Sequence, residues 1–290
     1  MQPSFNTVGL IGKYKSPEIA GPLLKLGDYL ARRGVKVLID RLTASHIGDS
    51  KYPVLALEDI GREANLAIVL GGDGTMLNIA RTLAPYDVAL VGINQGRLGF
   101  LTDISLDTMI ETIGTILDGN YVTEERMLLA AEVFDGPLRI FDVFAFNEVV
   151  ISKGIKGSMI ELEVRIDDRF LYALRADGLI VATPTGSTAY ALSAGGPIIH
   201  PSLSAIALVP ICPHTFSSRP IVISSESIVE IIVKSDSDTR AHFDSHSRFD
   251  LKAGCRVVVR RCAHTIRLLH PVGHDYYNML RAKLHWTEFY

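Results

Sequence analysis

The sequence has few cysteines, no metal-type spacing among them and no strong excess of charge of either sign. Its 290 residues include three cysteines, Cys212, Cys255 and Cys262, and no C-x-x-C pair. We therefore expect reduced, structural thiols rather than disulfides or a cysteine metal site. The formal net charge is −3 at pH 7, which argues against nucleic acid or an anionic membrane as the main partner.

Long apolar runs are also missing. The N-terminus, MQPSFNTVGLIGK, has no basic segment leading into a long apolar one, so it does not resemble a signal peptide. The apolar stretches LAIVL and IALVPIC are far too short to span a bilayer. The sequence therefore predicts a cytoplasmic protein that needs no membrane partner.

The first 120 residues alternate between strand-like and helix-like patterns. Short apolar strands are predicted at residues 7–11, 35–40, 65–70 and 88–93, and helices at 17–33 and 75–83. The run at 65–70 is apolar throughout, as in a strand buried on both faces. The pattern predicts an α/β domain over residues 1–121, with a parallel sheet and flanking helices.

After residue 121 the pattern changes to short segments rich in β-branched and aromatic residues, separated by turn signals. These predict a β-rich, sandwich-like domain over residues 122–270. The tail from about 271 to 290, with a helix at 276–284, is expected to pack back on the first domain. The predicted strands of this second domain are residues 128–134, 138–146, 160–166, 169–174, 179–182, 228–233 and 256–261.

The sharpest motif is Gly71-Gly72-Asp73-Gly74-Thr75, between a predicted strand and a predicted helix. Glycines allow positive φ angles and close approach of the backbone to a ligand, and a helix N-terminus favours phosphate. The motif is neither a Walker A loop nor G-x-G-x-x-G. Its central carboxylate suggests metal-assisted phosphoryl transfer in which Asp73 handles the acceptor hydroxyl. The alternative is a plain turn in which Asp73 caps a helix that begins at Thr75.

Two further segments carry polar groups suited to a nucleotide. The run T-P-T-G-S-T-A-Y at 183–190 continues into A-L-S-A-G-G-P. Its small residues allow close backbone contact with a nucleotide, and Tyr190 offers a stacking face; the alternative is a polar loop with a buried tyrosine. Asn147-Glu148 pairs an amide with a carboxylate, which suits the hydroxyls of a ribose. Its alternative is a solvated charge at the end of a strand.

Together these segments resemble the bacterial NAD kinase (ATP-NAD kinase) family over nearly the whole chain. The G-G-D-G-T motif also occurs in lipid and sugar kinases, whereas the run from residue 183 is much more specific. The segments that carry the resemblance are residues 71–75, 94–102 (N-Q-G-R-L-G-F-L-T), 147–148, 175–178 (R-A-D-G) and 183–201.

The resemblance implies an enzyme that transfers the γ-phosphoryl group of ATP to the 2′-hydroxyl of the adenosine ribose of NAD. It implies NAD bound between two domains and a homodimer or homotetramer. The sequence itself shows no cluster of carboxylates or histidines for a dedicated metal site, so we expect Mg²⁺ or another divalent cation to be delivered with ATP. Asp73 would be the catalytic proton acceptor, and Gly71, Gly72, Gly74 and Thr75 the phosphate loop. The implied NAD-binding residues are Asp73, Gly74, Asn147, Glu148, Ser158, Arg175, Asp177, Thr185, Thr188, Ala189, Tyr190, Ser193 and His246.

Within this set the roles differ by position. Asn147 and Glu148 would hold the ribose and adenine side, and residues 188–193 would line the adenine pocket. Arg175 and Asp177 would face the nicotinamide half, across a subunit interface. Two positions depart from the family pattern: His246 stands where many relatives have glutamine, and Ser158 where relatives often carry a larger basic or imidazole side chain.

Other functions remain open from the residues alone. A lipid or sugar kinase could use the same loop, although the second polar run is small and hydrophilic rather than an apolar slot. A non-enzymatic NADP(H) sensor would bind the same ligand but would have no need of Asp73. A dehydrogenase is disfavoured because no G-x-G-x-x-G follows the first strand.

Overall fold

The computed structural model describes residues 5–14, 16–47, 50–96, 98–154, 158–215 and 217–286. Arg97 of the predicted 94–102 segment and residues 287–290 of the predicted tail lie outside the described residues. The chain divides into two units. The first comprises residues 1–125 and 266–290, and the second comprises residues 126–265.

The first unit is built on a parallel sheet. Its central strands are fully buried runs of apolar residues, so they can be covered by helices on both faces. The strands are β1 (Thr7–Gly12), β2 (Lys36–Asp40), β3 (Val54–Leu55), β4 (Leu66–Leu70), β5 (Ala89–Asn94) and β6 (Ile104–Ser105), and they pair in parallel in the order β3-β2-β1-β4-β5-β6.

Five α-helices accompany these strands in the described part of residues 1–125. They are α1 (Ala20–Arg32), α2 (Arg41–Ala44), α3 (Leu57–Glu63), α4 (Asp73–Leu83) and α5 (Met109–Leu117). Leu23, Leu26 and Leu30 recur at helical spacing on α1 and are fully buried. They join the core formed by the sheet and α5.

The second unit is built from antiparallel strands, the first and last of which extend into the first unit. They are β7 (Tyr121–Asp135), β8 (Leu138–Ala145), β9 (Glu148–Lys153), β10 (Ile160–Ile166), β11 (Arg169–Ala176), β12 (Gly178–Ala182), β13 (Ala205–Ile211), β14 (Ile221–Ser224), β15 (Val229–Val233), β16 (Thr239–Phe243), β17 (Ser247–Leu251) and β18 (Arg256–Pro271). A short helix, α6 (Tyr190–Ser193), precedes β13.

These strands form two sets that share one core. One set pairs in the order β11-β10-β15-β18, with β7 beside β18 and β8, and the other in the order β14-β13-β12-β9-β16-β17. Alternate side chains point inward, as β15 shows, and apolar residues of both sets meet in one cluster. The last helix of the described residues is α7 (Tyr276–Leu284), which belongs to the first unit.

The predicted fold class is confirmed: an α/β first unit with a parallel sheet, followed by an antiparallel β unit. Several predicted bounds were wrong or incomplete. The helix expected from residue 75 begins at Asp73, and strands β9, β13, β14, β16 and β17 were not predicted. No helix in the described part of the chain has the length and apolarity to cross a membrane.

Candidate active site

Asp73 is the first residue of α4, directly after strand β4 and two glycines. Its carboxylate is held by a neighbouring segment rather than by its own helix. Oδ2 accepts a hydrogen bond from the backbone N–H of Phe100 at 2.9 Å, and Oδ1 accepts one from that of Leu101 at 3.0 Å. The Thr102 hydroxyl donates to Oδ1 at 3.2 Å. The capping alternative therefore does not describe this side chain.

The glycines of the loop provide space rather than unusual backbone angles. Gly71, Gly72 and Gly74 are absent from the residues with positive φ, contrary to the expectation from the sequence. A Cβ atom on Gly72 or Gly74 would meet no atom within 4 Å, so the space beside them is open. By contrast, a Cβ on Gly99 would lie 2.1 Å from Oδ1 of Asp73. Gly99 is therefore what allows its segment to approach the carboxylate.

The start of α4 offers unpaired backbone donors beside that open space. The N–H groups of Thr75 and Met76 already donate to the Gly72 carbonyl, at 3.0 and 3.1 Å. Among the described residues, no acceptor is found for the N–H groups of Asp73 and Gly74. The first turn of a helix carries such unpaired donors and a positive dipole end. Two donors here can face a phosphate oxygen.

Asn94, at the end of β5, fixes the segment that holds Asp73. Its buried side-chain amide donates to the carbonyls of Thr102 at 3.3 Å and Ile104 at 3.1 Å, and its Oδ1 accepts from Gly96 N–H at 3.1 Å. Strands β4 and β5 are parallel neighbours, so their carboxyl ends meet at one sheet edge. That adjacency was the available signal for pairing residues 94–102 with Asp73, and sequence reasoning assigned no contact between them.

In the second unit, the Asn147-Glu148 turn is shaped by an aspartate from another turn. The Asp244 carboxylate accepts hydrogen bonds from three consecutive backbone N–H groups, those of Phe146 and Asn147 at 2.7 Å each and that of Glu148 at 3.1 Å. Asp244 and Ser245 have φ angles of 50° and 54°, a left-handed turn between β16 and β17. The sequence motifs gave no indication of this role for Asp244.

Glu148 is buried, so the alternative of a solvated charge at the end of a strand is wrong. Glu148 is 4% exposed, and its Oε2 atom has no hydrogen-bond partner among the described residues. Burial and the negative charge of Asp244 raise the pKa of Glu148 to about 8. An unsatisfied buried oxygen of this kind is costly, and a ligand hydroxyl could satisfy it.

The polar run from residue 183 packs directly on this turn. The Thr183 hydroxyl donates to the Phe146 carbonyl at 2.7 Å, and the Thr183 N–H donates to the Asn147 carbonyl at 2.8 Å. A Cβ on Gly186 would lie 2.1 Å from the Asn147 oxygen, so only glycine fits there. The two predicted groups are therefore brought together at one end of strands β9, β12 and β16.

The outer part of the same run is more open. Thr185 is buried and accepts a hydrogen bond from the guanidinium of buried Arg126 at 3.1 Å, a contact that sequence reasoning missed. The Thr188 hydroxyl donates to the Thr185 carbonyl at 3.2 Å. Tyr190 is 45% exposed, so the alternative of a buried tyrosine is wrong. Ala189 is half-buried and Ser193 is exposed on α6.

Arg175, Asp177 and Ser158 lie at the opposite end of these strands. In the pairing of β9 with β12, Glu148 faces Ala182 and Ser152 faces Gly178. Because a strand rises about 3.3 Å per residue, the two ends of β9 are separated by roughly 13–17 Å. The structure therefore does not bring these three residues to the Asn147-Glu148 turn within one chain.

Each of these distant residues has a local partner. Asp177 pairs with Lys153 at 2.7 Å, and exposed Arg175 approaches Glu161 at 3.9 Å. The hydroxyl of Ser158 lies 3.1 Å from that of Ser237. His246, two residues after Asp244, is exposed near the turn.

Comparison with known proteins accounts for this arrangement of motifs. Residues 8–121 match the family model described as ATP-NAD kinase N-terminal domain, and residues 146–270 match the ATP-NAD kinase C-terminal domain. The chain is 59% identical to a protein of Nitrosomonas eutropha named NAD kinase, over 98% of this chain and 96% of that protein.

The chain belongs to the NAD kinase family.

Other known proteins resemble the chain at several levels of similarity. A NAD kinase of Nitrosospira multiformis is 58% identical over 99% of this chain and 98% of its own length. The crystal structure titled Yeast NADH Kinase complexed with NADH shares the fold, with a TM-score of 0.90, 24% identity, and coverage of 99% of this chain and 89% of that chain. An NAD kinase from Archaeoglobus fulgidus in complex with ATP has a TM-score of 0.75 and 26% identity, with coverage of 96% and 98%.

Proposed function

We propose that this member of the NAD kinase family transfers the γ-phosphoryl group of ATP to the 2′-hydroxyl of the adenosine ribose of NAD, giving NADP and ADP. The observation that carries the proposal is the position of Asp73, a held carboxylate at a helix N-terminus beside open space and two unpaired N–H groups. Bacterial relatives at 58–59% identity that are named NAD kinase support it.

The two substrates are also supported by solved relatives. One structure of similar fold holds NADH, and another, from Archaeoglobus fulgidus, holds ATP. We assign NAD to the Asn147-Glu148 turn and the run from residue 183, with Asn147 and Glu148 toward the ribose and Tyr190 toward the adenine. The rest of the proposed NAD-binding surface is formed by Thr185, Thr188, Ala189 and Ser193. The phosphate loop is Gly71, Gly72, Gly74 and Thr75.

The chemical step then needs one proton acceptor. The ribose oxygen attacks the γ-phosphorus, the bond from that phosphorus to the β,γ-bridging oxygen breaks, and ADP leaves with the electron pair. A carboxylate has about four acceptor positions, and three at Asp73 are used by residues 100–102. The remaining position can orient the hydroxyl and accept its proton late in the reaction, a contribution worth about 10²–10⁴ in rate.

A divalent ion enters in this proposal as part of Mg-ATP. The donor set around Asp73 fits that role, because its carboxylate is already engaged by three donors. In the described part of the chain Asp73 belongs to no group of three histidine, cysteine or carboxylate side chains that could hold a metal ion. Bound to the triphosphate, the ion neutralises charge that would otherwise repel Asp73. The protein's own share is to orient the hydroxyl and hold the phosphates.

The nicotinamide end of the site is, in this proposal, supplied by a second subunit. Asn147 and Asp177 lie at opposite ends of the same strands, although both belong to the expected NAD-binding set. A copy of Asp177, Arg175 and Ser158 from a neighbouring chain in a homodimer or homotetramer could serve the far end of an extended NAD. We place the enzyme in the cytoplasm, where ATP and NAD are available.

One assay tests the function directly. Purified protein is incubated with Mg-ATP and NAD, and NADP is measured with an NADP-specific dehydrogenase. Formation of NADP with one ADP per NADP is expected. Binding of NAD without any turnover would instead favour a sensor, and phosphorylation of a lipid or sugar but not of NAD would favour the related kinases that share the loop.

A further inference from the structure

Four ionisable side chains meet in the first unit outside the groups described above. Asp103 Oδ2 lies 2.8 Å from Nδ1 of His270 and 2.8 Å from Nδ1 of His274. On the other side of His270, Nε2 lies 3.2 Å from Oε2 of Glu124. The side chains of Asp103 and His270 are 8% and 2% exposed, so the cluster is largely removed from water.

Two histidines and a carboxylate can also bind zinc, but the geometry favours hydrogen bonds between the histidines and Asp103. The 2.8 Å separations are hydrogen-bond distances. The rings of His270 and His274 are stacked, with centroids 3.9 Å apart and planes inclined by 19°. Both Nδ1 atoms already lie at hydrogen-bond distance from the same carboxylate oxygen, Oδ2 of Asp103, so each ring can donate a proton to it. Protons shared with Asp103 fit this arrangement better.

The charges of the cluster support a buried ion pair. Burial alone would lower the pKa of His270, but the hydrogen bond to Asp103 and the contact with Glu124 outweigh it and raise the pKa to about 9. Burial would raise the pKa of Asp103, but the hydrogen bonds from His270 and His274 lower it to about 2. At neutral pH His270 is therefore a cation between two carboxylates.

This cluster is one residue away from the segment that holds Asp73. Asp103 directly follows Thr102, and the N–H groups of Phe100 and Leu101 and the hydroxyl of Thr102 are the donors to the Asp73 carboxylate. The same C-terminal stretch of chain reaches the segment a second time, because Lys283 of α7 lies 5.9 Å from the centre of the Phe100 ring. The C-terminal residues therefore contact this segment on both sides, through Lys283 at Phe100 and through His270 and His274 at Asp103.

We propose that Asp103 and His270 are positioning residues for catalysis, which hold residues 100–102 so that their donors fix the Asp73 carboxylate. The inference rests on the proposed function for its catalytic consequence, although the fastening itself does not depend on that function. His274 contacts the same Asp103 oxygen as His270, and Glu124 contacts the other ring nitrogen of His270. No group of the cluster touches substrate in this account.

The test uses two substitutions of His270 in the full chain. His270→Leu removes both polar contacts. His270→Asn places an amide N–H near the position of Nδ1, so it keeps donation to Asp103 and loses the contact with Glu124. His264→Leu is the matched control, because this exposed histidine lies on the same strand, β18, in the second unit.

The first readout is hydrogen exchange of the Phe100 and Leu101 amides, which is independent of activity. In folded His270→Leu both amides should exchange about 10-fold or more faster than in the wild type, with His270→Asn between the two. The control should match the wild type. Unchanged exchange in folded His270→Leu would overturn the proposal, whether or not the chain phosphorylates NAD.

The second readout is kinetic. His270→Leu should lower kcat by about 10-fold to 100-fold and leave KM for NAD within about threefold, with partial rescue in His270→Asn. Equal loss in both variants, or a change confined to KM, would contradict positioning of Asp73. If His270→Leu does not fold, His274→Ala replaces it, and we expect a smaller loss of kcat in the same direction. An unchanged kcat in His274→Ala would contradict the proposal. One equivalent of tightly bound metal in the purified protein, removed by chelation with the same loss, would also overturn it.

Discussion

Replacing Glu148 with glutamine should stabilise the fold at alkaline pH and have little effect at acid pH. The carboxyl is buried and faces Asp244, and its pKa is raised from 4.5 to about 8 by burial and then by that charge. In the unfolded chain the group is expected to titrate at its ordinary value. The folded state therefore holds this proton more tightly, so the free energy of unfolding falls as the pH rises from about 4.5 to about 8.

The size of the effect follows from that difference. One pKa unit corresponds to about 1.36 kcal/mol, so a rise from 4.5 to about 8 gives a cost of at most about 5 kcal/mol above pH 8. Relaxation and water entry reduce this figure, and we expect about 2–4 kcal/mol. Glutamine keeps the shape and cannot ionise, so it avoids the cost.

Urea unfolding of the wild type and of Glu148→Gln at pH 5 and pH 8.5 measures the effect. The advantage of the glutamine variant should grow between the two pH values. The contribution of His270 to the free energy of unfolding also falls as the pH rises through its pKa of about 9. That loss is common to both proteins and cancels in the comparison. Glu161→Gln is the control, because its carboxylate is more than half exposed. An equal advantage for Glu148→Gln at both pH values would refute the reasoning.

Three further predictions concern the proposed site. Gly74→Ala should stabilise α4 by up to about 1 kcal/mol, because a Cβ there meets no protein atom. Thermal unfolding should show this gain, while turnover falls at least about 10-fold because the methyl group fills space needed by the ligand. Unchanged turnover would mean that no ligand approaches this residue. Glu148→Ala should weaken NAD binding by about 1–3 kcal/mol and leave ATP binding nearly unchanged by calorimetry, whereas equal losses would indicate a structural role. Mixing Asp73→Asn chains with Asp177→Ala chains, with subunit exchange verified, should restore part of the activity if sites are shared, and no recovery would place each site within one chain.

The fold was largely predictable because its strongest patterns are simple. The run at Leu66–Leu70 is apolar throughout and is fully buried in the parallel sheet, as expected. Strand β13 was missed because its proline and its long apolar run resemble neither an alternating strand nor a helix. Strands β16 and β17 were missed because polar residues occupy many of their outward positions. Edge and solvent-facing strands carry weaker sequence signals than buried ones.

The local contacts of the site were less predictable than its residues. The motif at residues 71–75 indicated an anion site, but nothing in it shows that Asp73 is held by donors from residues 100–102. Asp244 likewise organises the Asn147-Glu148 turn, although it lies 96 residues after Glu148 in the sequence. Such contacts depend on which strand ends become neighbours, and that order is set by the tertiary fold rather than by local pattern.

Whether Asp73 accepts the proton of the NAD 2′-hydroxyl can be tested by one comparison of variants. Asp73 also binds residues 100–102, so its replacement needs a control that disturbs only those contacts. Thr102→Val is suitable, because it removes the hydroxyl that donates to Oδ1 and leaves the carboxylate in place.

The measurement is kcat for NADP formation from Mg-ATP and NAD, together with the Kd of NAD, for the wild type, Asp73→Asn and Thr102→Val. We predict a fall in kcat of about 10² or more for Asp73→Asn, with Kd nearly unchanged, and a fall of less than about 10-fold for Thr102→Val. Retention of more than about a tenth of wild-type turnover by Asp73→Asn, or equal losses in the two variants, would contradict it.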